Sequence, residues 1–412
     1  MTPPSSWPPA PRGSNRPPGP RRSSRPDAPH GTKQISKLLA ILSLATAIAQ
    51  IAPAIGIAEL CRRCGVEYPE GWGAAFGVFG ALMFVTRARS SMPDRRRMLL
   101  LVKFIDVPYF IHWCACFFCL IPGMIALIGA LVFGLFRGTV VLPSTFLLGL
   151  YVTGLVVSIY GTLIRRRWVV VENHDIVINQ LDPAFEGYRI AHLSDLHIGA
   201  MTPKEWGFRW ARITNAGAPD MAVVTGDLAT SGNAFHSDIG EVIGALVAPD
   251  GVFVSLGNHD YFGDAEGLVA AVRSRGSQVL RNEAVLVKRG GGAIHLSAID
   301  DTWTAREDLS AALANRPPLT PSILLAHDPA MFPAAAALDV TLVLSGHTHG
   351  GQFAVPFLAR YLSLSHFAHK FHLGFYRIAN STLYVHPGLG TTGPPMRLGV
   401  APAIVFFTLR RG

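Results

Sequence analysis

Four apolar stretches occupy most of the chain before residue 165, at about 38 to 60, 71 to 86, 107 to 136 and 140 to 164. Hydrocarbon offers no partner for backbone amides and carbonyls, so a run of roughly 20 apolar residues that enters a bilayer must cross it as a helix. The second stretch is short and carries Gly71, Gly73, Gly77 and Gly80, a composition that suits close helix packing. The third is too long for one upright crossing, because about 30 residues rise about 45 Å against a core of roughly 30 Å. It must tilt, kink near Pro122 or cross twice. Half of the 412 residues are hydrophobic and 15% are charged, against about 25% charged in ordinary soluble domains. A wholly soluble or disordered chain is excluded.

The formal net charge is +9, and position decides what that means. Lys and Arg gather in the tail, in Arg95-Arg96-Arg97 and in Arg165-Arg166-Arg167, each beside an apolar stretch. This is the pattern of membrane topology; a nucleic-acid face would interleave basic and aromatic residues on one folded surface. No nucleic-acid partner is expected. With four spans, both chain ends and the C-terminal domain lie in the cytoplasm, whereas a fifth would put that domain outside. Residues 1 to 33 are rich in Pro, Ser and Arg and read as a disordered basic tail. Arg21-Arg22 stands too far from the apolar run for an export signal, so the first span is an anchor. The five cysteines all precede residue 120, and Cys61-x-x-Cys64 has no second pair to complete a zinc site.

From Trp168 the pattern changes to short β-rich runs alternating with helical ones, which predicts an α/β domain over 168–412 behind a membrane domain over 34–167. Strands are predicted at Tyr188 to Leu193, Met221 to Thr225, Val252 to Leu256, Ile294 to Ala298, Ile323 to Ala326, Thr341 to Leu344, Leu383 to Val385 and Ile404 to Leu409. Polar clusters follow five of them directly: Asp195-Leu196-His197, Gly226-Asp227, Gly257-Asn258-His259-Asp260, His327-Asp328 and Gly346-His347-Thr348-His349. Ligands of open α/β sheets bind at such carboxyl ends.

Carboxylate, imidazole and amide oxygen without thiolate suit Mn, Fe or Zn. One ion would not use so many donors; two ions about 3.5 to 4 Å apart, sharing a carboxylate, would. Each cluster alone is weak, since an HxH is often incidental and an Asp after a strand often caps a helix. Five at strand ends are not explained by structure alone.

These residues resemble the calcineurin-like metallophosphoesterase superfamily, whose signature is D-x-H, G-D, G-N-H-[DE], a later His and G-H-x-H. The resemblance covers about 168 to 412 and implies a β-sandwich flanked by helices. It implies that Asp195, His197 and His349 hold one ion, that Asn258, His327 and His347 hold the other, and that Asp227 bridges them. His259 corresponds to the family's catalytic histidine, with Asp260 expected to orient it. Gly350-Gly351-Gln352 and the run Gly388 to Gly393 with Arg397 look like the bacterial membrane-associated subgroup, and Arg397 is a candidate contact for substrate phosphate.

The expectation is a membrane-anchored phosphoesterase with two divalent ions, Mn favoured, acting as a phosphodiesterase or pyrophosphate hydrolase by a metal-activated hydroxide. A lipid-linked phosphate ester is the expected partner, beside the inner or plasma membrane bilayer. The alternatives are a sensor or transporter that uses the domain for ligand binding, and a catalytically dead scaffold. His112, inside the third span, is a polar residue worth following. His192, His386, His366, His369 and His372 are expected to be mostly structural.

Overall fold

The computed structural model describes residues 29–91, 94–354, 361 and 363–412. Most of the predicted tail, and Arg21-Arg22 with it, lies outside the described residues. Its last five are helical, because the first helix runs from Pro29 to Ala49.

Among the described residues, three helical segments are long and apolar enough to cross a membrane: Leu39–Arg63, Leu99–Arg137 and Ser144–Arg167. The predicted second stretch also folds as a helix, Pro69–Ser91, and is not among the three. Its glycines let it lie against its neighbour. A Cβ on Gly73 would stand 2.9 Å from that of Ala58, and one on Gly80 would press on the Gln50 amide at 2.7 Å. The third stretch does not divide into two crossings, since Val107–Arg137 is one helix of 31 residues with Pro122 inside it. Side chains such as Ile121, Ile125, Leu135 and Phe136 face outward, as a lipid-facing surface requires. His112 turns inward, where its Nδ1 lies 2.8 Å from the Tyr151 hydroxyl.

Two six-stranded sheets follow. The first has the order β1-β12-β2-β3-β4-β5 and the second β10-β11-β9-β8-β7-β6. The strands of the first are β1 Val170–Ile178, β2 Arg189–Leu193, β3 Met221–Thr225, β4 Val252–Ser255, β5 Gln278–Val279 and β12 Ala403–Arg411. Those of the second are β6 Glu283–Arg289, β7 Gly292–Ala298, β8 Ser322–Leu325, β9 Leu342–Ser345, β10 Gly374–Ile378 and β11 Ser381–Val385. In the first sheet β2, β3, β4 and β5 run parallel; in the second, β7, β8, β9 and β11 do.

Alternation along the strands builds the layers. Ile190, Met221, Val223, Ile323, Leu325, Leu342 and Leu344 point inward and form the core between the sheets. Ala191, Leu193, Ala222 and Val224 point the other way and pack beneath helices Lys204–Ala216, His236–Gly244 and Ala265–Arg273. Phe332 and Ala335 of helix Phe332–Ala337 cover the second sheet with Leu324 and Val343. The result is a β-sandwich flanked by helices. Four strands were not foreseen, β1, β5, β6 and β10; β1 and β6 are edge strands carrying Asp175 and Lys288 on exposed faces and Glu172 on the half-buried one, which breaks the apolar signal.

Candidate metal centre

The parallel strands of both sheets end at one edge of the sandwich, and the five polar clusters meet there. Ligand atoms of Asp195, His197, Asp227 and His349 lie within 4.8 Å of one another, and those of Asp227, His327 and His347 form a second such group. Asp227 belongs to both. The seventh predicted residue, Asn258, borders the second group, with Oδ1 3.1 Å from His347 Nδ1. All seven are therefore brought together.

The backbone is bent to achieve this. Asp195, His197, Asp227, His347 and His349 have φ of 53°, 46°, 53°, 72° and 52°, a region costing a non-glycine residue about 1 kcal/mol or more. Such strain persists only where surrounding contacts fix it. Here Asp195 N–H donates to Gly226 O and His197 N–H to Asp227 O, both at 3.0 Å, while His347 N–H donates to Asp195 Oδ1 at 3.0 Å. Gly226, at φ 77°, has no room for a side chain: a Cβ would stand 2.6 Å from Gly257 N and 2.7 Å from His327 Nδ1.

The donor atoms suit a cation. His197 Nε2 and His349 Nε2 face each other at 3.0 Å, with Asp195 Oδ1 3.3 Å from the latter and Asp227 Oδ2 3.5 Å from the former. His327 donates from Nδ1 to the Thr225 carbonyl at 2.7 Å. That fixes its tautomer and turns Nε2 toward Asp227 Oδ2, 3.3 Å away, where it has no aligned hydrogen-bond partner. Ligating imidazoles are held in this way.

Burial sets the charges. It lowers His197 to about 3 and His347 to about 4, so both are neutral and ready to coordinate. Burial opposes ionisation of Asp227, but the imidazoles of His327, His259 and His197 outweigh it and hold that carboxyl well below the usual range. Asp195 is pushed up to about 6, by burial first and by Asp227 second, against the pull of His327.

His259 sits beside these groups, its ring 4.8 Å from that of His197. Its Nδ1 donates to the Thr230 carbonyl at 2.7 Å and its backbone N–H to Asp227 Oδ1 at 2.9 Å. Nε2 is left toward the site, 3.4 Å from Thr392 Oγ1. Asp260, expected to orient this imidazole, does not: its buried carboxylate accepts from Gly257 N–H at 2.9 Å and Ala229 N–H at 3.0 Å. The Thr230 carbonyl has the orienting role, and Asp260 ties together two of the metal-site turns.

Arg397 also departs from expectation. It is fully buried and its guanidinium donates to the carbonyls of Pro387, at 2.8 Å, and Gly390, at 2.7 and 3.1 Å, with Nη2 3.3 Å from His349 Nδ1. Buried and turned to main-chain carbonyls, the guanidinium pins the glycine loop behind His349 rather than facing a substrate phosphate. Arg397→Met is expected to lower stability by about 3 kcal/mol, because buried carbonyls lose their partners, with KM for a soluble phosphoester little changed. Thermal unfolding beside Michaelis kinetics checks this, and a large rise in KM at unchanged stability would restore the substrate role.

Asp328, following His327, is a cap that accepts from Ala330 N–H at 2.8 Å. His192 and His386 pack ring to ring at 4.8 Å behind the site, and His369 reaches it, 5.6 Å from the His347 ring. Three contributors were missed. Thr230 and Thr392 lie in loops without a motif of their own. Asp94, before the span Leu99–Arg137, enters the α/β domain, where its carboxylate accepts from Ala200 N–H at 3.0 Å and its N–H donates to Ser231 Oγ at 2.9 Å. Buried carboxylates between membrane spans carry no sequence signature of such a role.

Known proteins are similar to this chain in sequence. The profile described as calcineurin-like phosphoesterase matches residues 188–351. A transmembrane protein with metallophosphoesterase domain from Bos taurus is 32% identical over 306 residues, covering 69% of this chain and 68% of the bovine one. Its Danio rerio counterpart is 32% identical over 295 residues, covering 68% and 64%. The uncharacterized metallophosphoesterase YkuE of Bacillus subtilis is 28% identical over 255 residues, covering 61% of this chain and 89% of its own. With a shared carboxylate between two groups of imidazoles at the edge of a β-sandwich, the chain belongs to the calcineurin-like metallophosphoesterase family and is a metal-dependent phosphoesterase.

Proposed function

We propose that the protein is a membrane-anchored phosphodiesterase or pyrophosphate hydrolase acting on a lipid-linked phosphate ester, with residues 34–167 as its membrane domain and 168–412 as its catalytic domain, on the cytoplasmic side because the basic run Arg165-Arg166-Arg167 ends the last span. The observation that carries the reading is Asp227, common to two groups of ligand atoms. In this reading Asp195, His197 and His349 hold one divalent cation, Asn258, His327 and His347 the other, and Asp227 both, with manganese favoured. When bound, the pair supplies the charge that neutralises the phosphate and acidifies the attacking water.

The rest is done by side chains. His259, fixed through Nδ1 by the Thr230 carbonyl, presents Nε2 to the phosphoryl group and protonates the departing oxygen. Thr392 Oγ1, beside that nitrogen, helps to hold the proton there. Lipid-linked substrates are favoured because Arg165–Arg167 closes the last span and β1 begins at Val170, which keeps the domain close to the bilayer and raises the local concentration of such substrates.

The test is hydrolysis of an aryl phosphodiester and of its monoester by the detergent-purified full chain, with Mn²⁺ added or chelated. Diester turnover is expected to exceed monoester turnover and to fall by roughly 100-fold or more on chelation, returning with Mn²⁺. Turnover insensitive to chelation would refute the metal mechanism, and a preference for the monoester would refute the diester assignment.

A further inference from the structure

A cleft of about 790 Å³ lies where two spans meet the catalytic domain, away from the metal-site residues. Leu99, Val102 and Val107, at the start of the span Leu99–Arg137, and Leu163, near the end of the other, give it an apolar side. The opposite character comes from Arg96, Arg97, Lys103, Arg166, Arg167 and Lys204, against which only Glu205 and Asp238 carry negative charge.

Several of these cations are already matched. Arg96 and Lys204 share Asp238, at 2.9 and 3.3 Å, and Arg97 pairs with Asp106 at 2.9 Å. Among the described residues no carboxylate pairs with Lys103, Arg166 or Arg167. Arg166 is buried, donates only to the carbonyls of Pro395 and Met201, and keeps an Nε without a partner, as Thr162 keeps its Oγ1. A buried guanidinium without a counter-charge is unfavourable. Both Arg166 and Arg167 lie over the Trp206 ring, at 4.6 and 5.1 Å, so their positions are set in advance. Unmatched positive charge above an apolar wall, at the ends of two spans, is complementary to a ligand with a phosphate and acyl chains.

We propose that this cleft binds an anionic glycerophospholipid of the bilayer, its phosphate among Lys103, Arg166 and Arg167 and its first acyl carbons against Leu99, Val102, Val107 and Leu163. The site is separate from the candidate metal centre. It rests on the two spans lying in a membrane, and not on the identity of the hydrolysed ester. A free anion would use the cations and leave the apolar wall empty, and a zwitterionic lipid would leave the charge unmatched.

The experiment titrates dioctanoyl phosphatidylglycerol into the detergent-purified full chain and reads occupancy by native mass spectrometry, with dioctanoyl phosphatidylcholine and inorganic phosphate as separate arms. Phosphatidylglycerol is expected to bind about 10-fold or more tightly than either. Lys103→Glu with Arg167→Glu should weaken it by about 10-fold or more, as reversing two interfacial charges implies, and Lys103→Arg with Arg167→Lys should leave it within about 2-fold. If the glutamate pair does not fold, Lys103→Gln with Arg167→Gln carries the same test with a smaller expected loss of roughly 5-fold. Unchanged phosphatidylglycerol binding in the charge-altered protein overturns the proposal, as does phosphate or phosphatidylcholine binding as tightly.

Discussion

Asp227→Asn is expected to cut metal-dependent phosphoester turnover by about 10³-fold or more, equivalent to about 4 kcal/mol of barrier, and to lower bound metal below two ions per chain. The amide retains nearly the shape of the carboxylate, and its Oδ1 still accepts from His259 N–H, now 2.9 Å away. What it removes is the negative charge facing His197 and His327, and it can offer a cation only one neutral oxygen. Because Asp227 is common to both groups, one substitution should weaken both. Elemental analysis of the purified variant beside turnover distinguishes this from misfolding, which would also lower the unfolding temperature. Full metal content with full turnover would reject the shared-carboxylate assignment.

His259→Ala should leave metal content intact and slow turnover by about 10² to 10⁴, the range of a lost general acid. Removing the ring frees the Thr230 carbonyl from its 2.7 Å partner, a loss of about 1 kcal/mol that the fold absorbs. The deficit should depend on the substrate. An ester with a nitrophenolate leaving group needs little proton assistance and should lose least, whereas an alkyl ester should lose most. Equal losses for both would remove the proton-donor role and leave His259 as a phosphoryl contact, and metal loss accounting for the whole defect would make it a ligand.

The meeting of the candidate ligands was legible because the chemistry is concentrated in short clusters behind apolar strands, and the apolar runs of β3, β8 and β9 are buried on both faces. Asp260 and Arg397 were read less well for one reason. A sequence shows that a charged residue stands next to a motif, but not whether its hydrogen bonds go to a side chain, a substrate or a backbone carbonyl. Asp260 is one residue from His259 and turns to the amides of Gly257 and Ala229; Arg397 faces three carbonyl contacts inside the domain. The strand β1 was missed because its pairing partner is β12, more than two hundred residues away, and long-range pairing leaves no local periodicity when one face carries charge. Likewise, the glycines of Pro69–Ser91 signalled packing, but only the structure shows that Gly73 and Gly80 face Ala58 and Gln50.

The position of β12 sets the order of events during synthesis. It lies between β1 and β2, parallel to the first and antiparallel to the second, so β1 has nothing to join it to the rest of the first sheet until Ala403–Arg411 has left the ribosome. By then the segments Leu39–Arg63, Leu99–Arg137 and Ser144–Arg167 have already emerged. β1 therefore waits beside the last span as an unpaired edge while more than two hundred residues are made, and an unpaired edge is open to pairing with another chain for that interval.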